Sequence, residues 1–134
     1  MQKTSDVVNN KEIIISNSNE LVRILPERIV YVESDGNYST IVLHDKVKHV
    51  FTMNLAHCQQ VMESQLGKDA MIFIRLGKQL IINRTYIYKI NVNKQQLVMS
   101  NMYVNEAFTL QASKEALKQL KILMELERGK ELIR

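Results

Sequence analysis

The feature that most constrains the fold of this chain is a series of short apolar segments separated by turn-forming residues. Segments of this length suit β-strands and are too short for most helices. The clearest turn signal runs from Ser34 to Asn37, because glycine and asparagine tolerate positive φ. The pattern predicts strands over residues 13–16, 21–25, 28–33, 38–44, 48–53, 72–76, 80–82, 86–92, 96–99 and 107–110.

Two segments have helical periodicity instead. The first follows Asn54, a suitable N-cap, and ends near Gly67, which suits a helix exit. The second follows Ser113, another N-cap, and extends to about Arg128. The apolar faces of the two helices consist of Leu55, Cys58, Met62 and Leu66, and of Leu117, Leu120 and Met124. The chain is therefore predicted to be mostly β, with a short central helix and a C-terminal helix.

The length and composition of the chain indicate one globular domain. Its 134 residues are 46% hydrophobic and 24% charged, which is enough apolar material for one core. We expect a disordered N-terminal tail over 1–11, the domain over 12–128 and a C-terminal tail over 129–134. The single cysteine excludes an internal disulfide, and no segment resembles a secretion signal or a membrane span. A cytoplasmic protein is expected.

No residue pattern indicates catalysis or metal binding. His44, His49, His57 and Cys58 are the candidate ligands, but adjacent residues on a helix point to different faces and would not converge on one ion. Cys58 lies on the apolar stripe, where a thiol is usually inert. G-x-S-x-G, P-loop, G-x-G-x-x-G and H-E-x-x-H motifs are all absent. We expect no enzyme activity, cofactor, metal or small-molecule substrate.

Positive charge is concentrated in one part of the sequence. No Asp or Glu occurs between Asp69 and Glu106, and the net charge of the whole chain is +4. This window could be a solvated strand face whose acids lie elsewhere, or a surface for a polyanion. Lys78 follows Gly77 in a predicted turn, where its side chain can reach phosphates or guanine. The basic residues of the window are Arg75, Lys78, Arg84, Lys89 and Lys94.

Four stretches resemble, in order, the LytTR-type DNA-binding domains of bacterial transcriptional regulators. They are IVYVESDGNYSTIVLHD, MNLAHCQQVM, FIRLGKQLIINRTYIYKI and LQASKEALKQL. The resemblance covers about 13–126, nearly the whole chain. It implies elongated antiparallel β-sheets whose loops enter successive major grooves on one face of double-stranded DNA. A second copy of the chain on the same DNA is a further partner to consider.

The resemblance also implies which residues face DNA. Gly77 stands where the family commonly has histidine, and Glu115 replaces the second of two basic residues. Family members usually carry an N-terminal receiver domain or membrane segment, whereas about a dozen residues precede the first strand here, so a stand-alone regulator is expected. The implied DNA-binding residues are Asn37, Tyr38, Arg75, Lys78, Gln79, Asn83, Arg84, Lys89 and Lys114.

Two other hypotheses remain open at this stage. The chain could be a protein-interaction module of LytTR fold that has lost DNA binding and modulates a related regulator; Gly77 and Glu115 favour this alternative. Binding of single-stranded nucleic acid is disfavoured, because stacking platforms need exposed aromatic residues. Only 6% of the residues are aromatic and none is tryptophan.

Overall fold

The computed structural model describes residues 11–128, which form three antiparallel sheets and two α-helices. The helices are α1 (Leu55–Leu66) and α2 (Lys114–Arg128). The strands are β1 (Ile13–Ser16), β2 (Leu21–Ile24), β3 (Ile29–Ser34), β4 (Ser39–Leu43), β5 (Lys48–Phe51), β6 (Phe73–Leu76), β7 (Leu80–Asn83), β8 (Ile87–Asn91), β9 (Gln96–Met99) and β10 (Phe108–Gln111). The predicted mostly β fold with a central and a C-terminal helix is confirmed.

The sheets differ in size and in the order of their strands. The central sheet has the order β5-β4-β3-β7-β6, so β3 pairs with a strand far from it in sequence. A three-stranded sheet has the order β10-β9-β8, and β1 and β2 form a separate hairpin. Three short 3₁₀ helices, which the sequence pattern did not predict, lie at Pro26–Arg28, Gly67–Ile72 and Arg84–Tyr86.

The predicted tails lie almost wholly outside the described residues. The exception is Lys11, whose ammonium donates a hydrogen bond of 3.3 Å to the carbonyl oxygen of Leu66 at the end of α1. This contact satisfies a carbonyl that has no partner within the helix. Lys11, the last residue of the predicted N-terminal tail, therefore contacts the domain.

The central sheet is covered on both faces. Successive residues of a strand point to opposite faces, and Tyr31 and Val32 of β3 accordingly belong to two different apolar clusters. One cluster joins the sheet to the β1–β2 hairpin and α1, and the other joins it to the three-stranded sheet and α2. All four residues of β7 are buried, which is the pattern expected of a strand packed on both faces.

Cys58 lies at the centre of the cluster beneath α1. It is fully buried, and burial raises the pKa of its thiol to about 11. We expect the folded protein to react very slowly with a disulfide-exchange reagent at about pH 8, because the reactive thiolate is scarce and shielded. Unfolding in urea should restore rapid labelling. Equally fast labelling of the native and unfolded protein would contradict this placement.

Candidate nucleic-acid interface

Two turns of the central sheet lie side by side at one end of the molecule. Strand β3 runs toward this end and continues into the turn of residues 35–38, while the turn of residues 77–79 leads into β7. The backbone N–H of Ser34 donates a hydrogen bond of 2.9 Å to the carbonyl oxygen of Gln79. We call this end, with the loops that reach it, the turn face.

A groove connects the turn face to the start of α2. Its volume is about 770 Å³. The 77–79 turn and the end of β3 form one wall, and the other consists of β10 and the residues leading into α2, including Gln111 and Ser113. The Ser113 hydroxyl oxygen accepts a hydrogen bond of 3.1 Å from the N–H of Ala116, which confirms Ser113 as the N-cap. The first residues of α2 therefore lie on the turn face.

A second depression lies on the other side of the 77–79 turn. It has a volume of about 360 Å³ and is lined by the 34–36 segment, the start of α1 and three residues of the β6–β7 hairpin. Lys78 and Gln79 line both depressions, so they form a ridge between them. The Asn54 side chain caps α1 by accepting a hydrogen bond of 2.8 Å from the N–H of His57.

The β8–β9 turn also reaches this end. The N–H of Ala112 donates a hydrogen bond of 3.3 Å to the carbonyl oxygen of Gln95, which ties the turn to the segment before α2. Lys94 lies in this turn and is exposed. In the sequence, Lys94 is one of the basic residues of the acid-free window and has no predicted role. Lys94 lies at this end of the molecule because β8 pairs antiparallel with β9, and β9 pairs antiparallel with β10.

The sequence resemblance to LytTR-type domains implies antiparallel sheets whose loops approach DNA on one face. Comparison with known proteins identifies the same LytTR family. The family described as LytTr DNA-binding domain matches residues 19–125. The chain belongs to the LytTR family of DNA-binding domains. Among solved structures it is similar to the LytTr DNA-binding domain of a Bacillus cereus protein described as a response regulator, with 16% identity and a TM-score of 0.58.

That similarity covers 85% of this chain and 96% of the Bacillus cereus chain, and at this identity it supports the fold alone. A sequence comparison with curated proteins found no match. Within residues 11–128, no group of three or more His, Cys, Asp or Glu is placed to hold a metal ion. No helix of that part of the chain is long and apolar enough to cross a membrane.

Lys78 is the most prominent cation of the LytTR turn face. Its side chain is exposed, and its ammonium forms no ion pair with any residue from 11 to 128. Gly77, which precedes it, has φ of +64°, a backbone conformation that strains other residue types. The turn geometry thus accounts for glycine at this position without requiring loss of DNA binding.

Arg75 supports the same turn from β6. Its guanidinium donates a hydrogen bond of 2.9 Å to Gln59 Oε1 on α1 and one of 3.5 Å to the carbonyl oxygen of Lys78. Neither partner is an acid, so the positive charge is held beside the turn without being neutralised. The guanidinium has further N–H groups with which it could donate to a phosphate.

Three other predicted residues border the turn face. Asn37 and Tyr38 are exposed in the β3–β4 turn, and Lys114 is exposed at the first position of α2. Glu115, the departure from the family pattern, accepts a hydrogen bond of 3.4 Å from Gln119 Nε2 and is not among the residues lining the groove. Its carboxylate therefore interacts along the helix with Gln119.

Asn83 does not fit the predicted role in DNA binding. Its side chain is fully buried. The amide Nδ2 donates a hydrogen bond of 2.9 Å to the carbonyl oxygen of Ile29, while Oδ1 accepts bonds of 3.0 Å and 2.8 Å from the backbone N–H and the hydroxyl of Thr85. Every strong contact of the amide is made inside the protein. We therefore expect Asn83 to stabilise the fold and do not propose it as a DNA contact.

Arg84 and Lys89 also lie apart from the groove. Arg84 is at the opposite end of β7 from Lys78, pairs with Glu127 of α2 and donates to the carbonyl oxygen of Met71. Its side chain is only 22% exposed. Lys89 is exposed on β8, where it pairs in register with Val98. Neither residue lines either depression of the turn face.

Proposed function

We propose that this LytTR domain is a sequence-specific regulator of transcription that binds double-stranded DNA through its turn face. The observation that carries the proposal is the position of Lys78 and Gln79, exposed on a ridge between two depressions. A ridge of this kind can enter a major groove and bring its side chains to the base edges. The expected setting is the bacterial cytoplasm, with no cofactor and no catalytic step.

The residues divide into two groups by the contacts that we assign to them. Lys78 and Gln79 face base edges, where lysine donates to guanine O6 and N7 and glutamine matches adenine. Arg75, Lys94 and Lys114 contact phosphates from the turns and the start of α2, with Lys89 as a weaker flanking contact. Asn37 and Tyr38 contact the backbone from the β3–β4 turn. Arg84 is left out, because its ion pair with Glu127 already uses its charge.

The alternative of a protein-interaction module that has lost DNA binding has little support from these positions. It rested on Gly77 and Glu115. The glycine suits the positive φ of the turn, and the glutamate interacts with Gln119 outside the groove. Both departures from the family pattern are therefore compatible with a turn face that binds DNA.

Binding should depend steeply on salt. With three phosphate contacts, the logarithm of the association constant is expected to fall with the logarithm of salt concentration with a slope of about −3. Raising salt about fourfold would then weaken binding by about 60-fold, because each released counterion gains less entropy in a more concentrated salt solution. Fluorescence anisotropy with a labelled duplex, repeated across a salt series, measures the slope.

The matched control is the same oligonucleotide as a single strand. We expect weaker binding to it, because the turn face presents no extensive aromatic platform for stacking. An association constant for the duplex that is insensitive to salt would contradict the proposal. Tighter binding to the single strand than to the duplex would contradict it as well.

A further inference from the structure

The groove beside Lys78 contains one acidic side chain. Among the described residues that line it, Glu33 is the only Asp or Glu. It is exposed at the penultimate position of β3, opposite Thr40 on β4 and Leu80 on β7. A negative charge on a surface that binds a polyanion is unfavourable unless it meets a hydrogen-bond donor.

The position of Glu33 in β3 places its carboxylate at the mouth of the groove. Side chains alternate along a strand, so Glu33 shares a face with Tyr31, two residues earlier. The Tyr31 ring is buried and contacts Phe108 edge-on, with 6.0 Å between the ring centroids. Burial, followed by the negative charge of Glu33, raises the pKa of Tyr31. Glu33 thus lies where the apolar cluster ends and the groove opens.

The carboxylate of Glu33 is available to an external donor. Within residues 11–128 it forms no ion pair and accepts no side-chain hydrogen bond, although Lys78 lines the same groove. A carboxylate can only accept hydrogen bonds when it is ionised. Phosphate oxygens also only accept, so Glu33 would repel the DNA backbone. The favourable donors on duplex DNA are the amino groups at base edges.

We propose that Glu33 is a specificity-determining residue, which accepts a hydrogen bond from the N4 amino group of cytosine in the major groove. The inference rests on the proposed function, because it requires the turn face to meet base edges. Lys78 and Glu33 then favour different bases across the same groove: the lysine donates to guanine, and the glutamate accepts from cytosine. Both partners occur in a G·C pair or in neighbouring pairs.

The substitution Glu33→Gln tests the proposed contact, because it should change the preferred base in a predictable way. Glutamine can both donate and accept, and the pair of groups matches adenine N6 and N7. Sequences are selected from a random duplex pool with the wild-type chain, Glu33→Gln and Glu33→Ala. We expect the wild type to prefer cytosine at one position by about 5- to 150-fold. Glu33→Gln should change that preference to adenine, and Glu33→Ala should remove it without creating another.

A matched control is Glu27→Gln, which removes the same charge from an exposed glutamate in the 3₁₀ helix that precedes β3, at the end of the sheet away from the turn face. It should select the wild-type sequences. Both Glu33 variants should also bind non-specific duplex more tightly than Glu27→Gln does, because they remove a negative charge from the turn face itself.

The outcomes separate this inference from the proposed function. A wild-type chain that selects no sequence and binds duplex without salt dependence contradicts the proposed function itself. A wild-type chain that selects a sequence which both Glu33 variants also select contradicts only the role of Glu33. A change at a position where the wild type prefers a base other than cytosine contradicts the assigned contact. Thermal unfolding of each variant verifies that it is folded.

Discussion

Replacing Lys78 with alanine should weaken binding to the preferred duplex by about 5- to 150-fold, the range expected for loss of one good contact to a base. The side chain is exposed and has no ion pair among the described residues, so its removal costs the folded protein almost nothing. The free energy of unfolding should therefore stay unchanged. Anisotropy titrations with the preferred duplex and with an unrelated one measure the loss of affinity and of discrimination.

The control for Lys78→Ala is Lys48→Ala. Lys48 is exposed at the start of β5, at the end of the central sheet away from the turn face, and the substitution removes the same charge. We expect it to leave the affinity almost unchanged. Equal weakening by both variants would mean that only the net charge matters. Equal loss for the preferred and the unrelated duplex would assign Lys78 to a phosphate, with a salt slope smaller by about 1.

Asn83→Ala should lower the free energy of unfolding by about 2–4 kcal/mol. Pairing of β3 with β7 stops at Tyr31 and Ile82, and the Asn83 amide extends the contact by donating to Ile29. Alanine leaves that buried carbonyl and the Thr85 N–H without the partners they now have. Chemical denaturation by urea measures the change. Under conditions where the variant is fully folded, its affinity for DNA should equal that of the wild type.

The control for this substitution is Asn19→Ala, an exposed asparagine in the β1–β2 turn. Its expected effect on stability is within about 0.5 kcal/mol. An Asn83→Ala protein that is as stable as the wild type but binds DNA poorly would restore the direct contact implied by the family resemblance. The pair of measurements therefore distinguishes a residue that holds two strands together from one that reads DNA.

The strands and helices could be predicted from sequence because their signals are local. Short apolar runs, the Asn54 and Ser113 caps and the glycine turns depend on neighbouring residues. The pairing of β3 with β7 could not be predicted in this way, since the partners are separated by β4, β5 and α1. The 3₁₀ helices were missed for a related reason: each is a short connection whose shape depends on the strands that it joins.

The residues of the candidate site also divide into those that local sequence signals indicate and those that only the folded structure brings together. Lys78 could be proposed from the sequence because it combines a local turn signal with an unbalanced charge. The burial of Asn83 could not be predicted from its position in a motif, because it depends on the packing of β7 between two clusters. Lys94 and Glu33 were not assigned, since only the folded chain brings them to the same end as Lys78. The proposed role of Glu33 depends on knowing which residues surround it in the folded chain.

The burial of β7 on both faces has a consequence for recognition. The 77–79 turn leads directly into a strand clamped between two layers, and Ser34 ties the turn to β3. The backbone of the turn is therefore already ordered before DNA arrives, and association loses little conformational entropy there. Within this turn, only the side chains of Lys78 and Gln79 have to settle into one rotamer. If DNA binds at the turn face as we propose, the 77–79 turn is a contact whose backbone is ordered in advance.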